Sequence, residues 1–139
     1  MSEQKSPNWQ PISFLPRLAD MVDGMLESAE EVYHSLRQAQ HRPHVLDDYT
    51  VERVRDVHTT QRNDLWLYEE QLSRWQEAEP APAESEEIIR LQGRLDRLRS
   101  VLTSCLALTD ELARGTIEKV LGKSDIEVAI DVLSGKLKL

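Results

Sequence analysis

The sequence predicts an all-α fold: an up-down-up antiparallel bundle of three long helices, with one or two short C-terminal helices packed against it. Three observations predict it. A seam of eight positions at 3-4-3-4-3-4-3 spacing occurs in three separate stretches, and that spacing keeps one stripe facing a partner helix. The prolines cluster outside those stretches. The links between the stretches are short, which makes successive helices antiparallel. A chain of 139 residues can bury a core of its own. We therefore expect residues 1–12 to form a flexible N-terminal tail and 13–139 a single helical-bundle domain.

Residues 1–11 are polar and carry Pro7 and Pro11; Trp9 is the exception, an aromatic able to tuck against the bundle. The first helix is expected from about Ser13 to Gln40, with Ser13 as N-cap and Pro16 in the first turn, where no intrahelical N–H bond is lost. Its seam is Leu15, Leu18, Val22, Met25, Ala29, Val32, Leu36, Ala39, widened by Ala19, Leu26 and Tyr33 to what a bundle helix needs. Gly24 falls on the outer face, where it costs roughly 1 kcal/mol of helix propensity against Ala.

Pro43 ends that helix, and Asp47 or Asp48 caps the next. With Asp47 as cap, Leu46 and Val51 occupy the positions of a hydrophobic staple. The second helix, Asp48–Glu77, has the seam Val51, Val54, His58, Gln61, Leu65, Tyr68, Leu72, Trp75, with two polar residues in its middle. The neighbouring segments look built to pack against it. Glu79-Pro-Ala-Pro-Ala-Glu84 is expected to be a stiff, non-helical link.

The third helix is expected to start at Ser85, an N-cap followed by two carboxylates at the positive end of the helix dipole. Its seam is Ile88, Leu91, Leu95, Leu98, Leu102, Cys105, Thr109, Leu112. From Val101 to Leu108 the sequence VLTSCLAL is apolar nearly all round, so something must cover it. Gly115 is expected to end this helix. A short helix at 116–122 and a last one opened by the Ser124-x-x-Glu127 capping box would supply the cover.

The net charge of −8 argues against nucleic acid, whose phosphates need clustered Lys and Arg. The longest central run without charge, Ser100 to Thr109, is far below the ~20 apolar residues of a spanning helix, so no membrane partner is expected. The single cysteine, Cys105, and the lack of an apolar core in MSEQKSPNWQ point to a reducing cytoplasm.

No phosphate loop, nucleophile elbow, zinc-protease string or dinucleotide fingerprint occurs. No cofactor is called for, no catalytic residue stands out, and the balance is against an enzyme. The place to look for chemistry is the polar layer of the second helix. Counting from the links sets His58 level with Ala29 to Val32 and with Cys105, puts Gln61 one layer further in, and lets Tyr33 reach in from the side. A His, a Cys and a Tyr in one layer could bind a metal or a small ligand, or hold a thiolate beside an imidazole. The bland alternative is a polar layer that sets helix register around a cysteine behaving as a small apolar residue. Glu31-Val-Tyr-His34 matches a di-iron string once, on the outer face and with no second copy. His41-x-x-His44 resembles half a metal site, without Cys partners.

Trp66 and Leu67 leave the seam of the second helix. Exposed, such a pair is the kind of anchor interfaces use; covered, it would lie under the tail with Trp9 or under the final helix. The expectation is a helical bundle acting through protein–protein contacts, with a homodimer as the simplest form because a self-complementary patch closes with two-fold symmetry. The alternative is a bundle with an internal metal or ligand site around His58 and Cys105.

Overall fold

Helix is the only regular structure among the described residues, and three long helices pack against one another. The structure, a computed structural model, describes residues 7–42 and 46–121, with side chains through Arg114. A 3-10 turn at Ile12–Phe14 leads into α1 (Leu15–His41), followed by α2 (Asp48–Glu77) and α3 (Pro82–Leu121).

Every seam residue of all three helices is buried or partly buried, as an apolar stripe at this spacing requires. The main core runs from Leu15, Leu18 and Val22 through Leu65 and Leu72 to Ile88, Leu95 and Leu102. A smaller core gathers Leu36, Cys105 and Leu108. The central helix is α3, not α2: α1 and α2 each pack along α3 and approach each other closely at few points. Its stripe is almost unbroken Leu and Ile, so it can offer apolar surface to two partners at once, whereas α2 carries polar residues in mid-seam.

The helix ends show how local chemistry sets boundaries. Asp47 caps α2, accepting the Thr50 N–H at 2.7 Å, and hydrogen bonding from the Thr50 side chain and backbone holds its carboxyl below the usual range. Ser13 does not cap α1. The Phe14 N–H instead donates to the Pro11 carbonyl at 2.9 Å, closing a tighter turn that contains Ser13. The link after α2 is helical sooner than its composition suggests. Pro82 takes the first helical position, where its missing N–H is harmless, and the Glu84 carboxylate accepts the Ala81 N–H at 2.9 Å. Ser85 is thus inside the helix, its hydroxyl accepting from Gln76 Nε2 at 3.0 Å. Gly115 does not stop α3, which continues to Leu121. A separate helix at 116–122 is therefore replaced by an extension of α3 as far as Leu121; the last helix expected from Ser124 lies outside the described residues.

Residues 7–12, which composition alone assigns to a loose tail, are tied to the far end of α2. The Gln10 N–H donates to Gln71 Oε1 at 2.7 Å, and the Gln10 carbonyl accepts from Trp75 Nε1 at 2.9 Å. The Trp9 ring lies over the Arg74 guanidinium, 4.4 Å from its centroid, a favourable cation–π distance.

Candidate functional site

Between α1 and α2 the surface opens into a groove of about 560 Å³. Its α1 side is built around Gly24, Ser28 and Ala29, whose small side chains leave room that a leucine would fill. Met25, Val32 and Val57 supply apolar walls, and His58 and Gln61 supply the polar atoms. The groove exists because α1 and α2 both lean on α3 and only lightly on each other.

His58 lines this groove and is 7% exposed. Its Nδ1 is 2.9 Å from the Val54 carbonyl oxygen, one turn back on its own helix. A carbonyl can only accept, so Nδ1 carries the proton and Nε2 presents a bare lone pair. No protein group reaches that Nε2, which is buried. Burial pushes the imidazole pKa below its ordinary value, opposed in part by the Val54 bond, so the ring is neutral at pH 7. An unmet buried acceptor costs about 1–3 kcal/mol.

The groove and the small core, which share Val32, take up the other polar-layer residues. Gln61 shares the groove with His58. Cys105 and Tyr33 belong to the small core around Leu36 and Leu108. The Cys105 thiol points toward the Ala29 carbonyl oxygen, 3.7 Å away, and burial pushes its pKa up to about 11. At neutral pH this sulfur is a protonated thiol, so the thiolate considered from sequence is not set up here. Thiolate is the form that attacks or binds metal; Cys105 behaves as a small apolar residue.

The remaining expected ligands sit apart. Glu31 and His34 are exposed and line a shallow charged depression with Asp23, Glu27 and Arg90. Within it Asp23 is paired, because Arg90 forks onto both its oxygens at 3.1 and 3.0 Å and Arg94 joins from one turn on. Hydrogen bonding from Arg90 holds the Asp23 carboxyl below its usual range. His41 is exposed, and His44 lies outside the described residues. Among the described residues no three His, Cys, Asp or Glu side chains come together as a metal site would need.

Trp66 is 50% exposed and Leu67 partly buried. Trp9 does not serve as their cover, since it is stacked on Arg74 two turns further along α2. Composition gives no sign of the groove itself, because Gly24 reads as an ordinary outer-face position. The one available signal is the pairing of small residues on α1 with a polar pair in the seam of α2. Compared with protein-family models, curated proteins and solved structures, the chain matches none. No helix among the described residues is long and apolar enough to cross a membrane.

Proposed function

We propose that this chain is a small cytoplasmic up-down-up helical bundle that works through protein–protein contacts, as a scaffold, adaptor or regulatory protein, without catalysis. The topology is supported by the cross-helix pairs. Asp23 and Glu30 of α1 meet Arg90 and Arg97 of α3, rising together. In α2 the order reverses, with Arg55 on Asp110 and Glu69 on Arg99.

The observation that carries the contact reading is Trp66, a large indole with half its surface in water beside a partly buried Leu67. Buried aromatic anchors dominate the energetics of interfaces, and a half-exposed indole becomes such an anchor when a partner covers it. A second copy of the chain is the simplest partner. The acidic balance of −8 keeps nucleic acid an unsuitable one.

The test is the Trp66→Ala, Leu67→Ala double variant, followed by sedimentation equilibrium and circular dichroism. The parent should sediment as an oligomer, and the variant at monomer mass with unchanged helicity. Equal masses for the two proteins, with the same captured partners, would discard this reading.

A further inference from the structure

The face of α2 that carries Trp66 has the same layout from either end, with its charges exchanged. From Trp66, steps of four, three and four residues lead back to Arg62, Thr59 and Arg55. The same steps lead forward to Glu70, Ser73 and Glu77. Such steps keep residues on one stripe of a helix, and none of these residues is buried. The stripe borders α3, where Arg55 meets Asp110 at 2.7 Å, whereas Val57, His58 and Gln61 line the groove beside α1.

The helix itself gains little from this order. A helix dipole favours cations toward its C-terminal end, yet here the arginines come first and Glu77 stands in the last turn. Ion pairs within the chain do not explain it either. Among the described residues Arg62 and Glu77 form none, and Glu70 meets only Arg74, through one oxygen at 3.2 Å.

We propose, resting on the contact reading above, that two copies of this chain dock α2 on α2, antiparallel about a two-fold axis at Trp66. In that register each Trp66 faces its symmetry mate, an aromatic pairing that is favourable when offset or edge-on. Arg62 meets the partner's Glu70, Thr59 the partner's Ser73, and Arg55 the partner's Glu77. The two-fold axis makes each of these pairs twice. No like charges oppose each other, whereas a parallel pairing in register would set Arg on Arg and Glu on Glu. Charges arranged this way fix orientation and register.

The test is sedimentation equilibrium of the full chain and its charge swaps, with circular dichroism to check folding. The parent should dimerise. Arg62→Glu and Glu70→Arg each bring like charges together twice and should weaken dimerisation about tenfold. The variant carrying both should regain the parent's affinity. A mixture of Thr59→Cys and Ser73→Cys proteins should cross-link under mild oxidation, while neither does so alone; Cys105 is buried and stays out of the reaction. A monomeric parent overturns the proposal, and the contact reading then survives only if Trp66 is needed to capture another protein. A dimer that ignores the swaps, or is not regained in the variant carrying both, also overturns it. In that case the contact reading stands if Trp66→Ala, Leu67→Ala still yields monomers and falls if it does not.

Discussion

The two sides of α1 meet their neighbours in opposite ways. Toward α3, the leucines of both helices close a dry core, and a row of Arg side chains on α3 ties down Asp23 and Glu30 at its rim. Toward α2, small residues face a half-polar seam, and the surfaces stay apart around His58. All three seams have the same spacing, so periodicity brings the helices together but side-chain size decides whether they close. The closed side is where stability resides. The open side is where the protein has room for something else.

Mutations should separate the two sides, beginning with the largest effect. Leu98→Ala, in the core under the closed side and fully buried, should destabilise the fold by about 3 kcal/mol in urea unfolding. Met25→Ala, on the open side, should cost below about 1.5 kcal/mol, because a partly buried side chain loses less contact and leaves no closed cavity. Equal losses would mean that the groove closes in solution.

Next comes Gly24→Ala, which should raise stability by about 1 kcal/mol through helix propensity alone, since an added Cβ there finds open space. Gly93→Ala, equally unobstructed on α3, is the matching control. Asp23→Asn, which breaks the fork to Arg90, should cost less than about 1 kcal/mol because the pair is partly exposed. That cost should shrink further at 1 M salt, where the screening length falls to about 3 Å.

The smallest effect at neutral pH belongs to His58, and it emerges only in acid. Its folded-state pKa is lowered by burial, so the unfolded chain takes up the proton first as pH falls below the ordinary value near 6.5. Stability is then fully present above that pH and declines below it. Urea midpoints measured from pH 8 to 5 should fall in the parent, and His58→Phe should remove that part of the slope.

Much of the fold was legible because burial and periodicity are local properties. The bounds of α2 follow from Asp47-Asp48 and the Pro80 link, while the choice of Asp47 over Asp48 as cap rests on the bond from the Thr50 N–H. Other features depend on the third dimension. Which helix is central was not legible, since α2 and α3 have equal seams and differ only in how much polar surface each can leave uncovered. The start of α3 turned on Glu84 reaching back to the Ala81 N–H, which let Pro82 open the helix three residues before Ser85. Gly115 is the residue type that ends helices, yet glycine ends a helix only when the backbone turns left-handed there. In the site, His58 and Gln61 stand out as polar residues in a seam. The tautomer of His58 depends on a bond to the Val54 carbonyl that no spacing rule specifies, and the groove depends on the small size of Gly24 and Ser28 opposite.

The docking of residues 7–12 was similarly hidden. Trp9 and Trp75 are both visible in the sequence, but their link runs through the backbone of Gln10 and the side chain of Gln71, a residue outside the seam.

The central claim is that the open side carries a neutral imidazole with its Nε2 lone pair unmet by protein. Long-range proton–nitrogen correlation NMR of the His58 ring at pH 7 reads this directly. Two distinct nitrogen signals, with the proton on Nδ1 and Nε2 bare, are expected. A proton on Nε2, or a doubly protonated ring at that pH, would contradict the account.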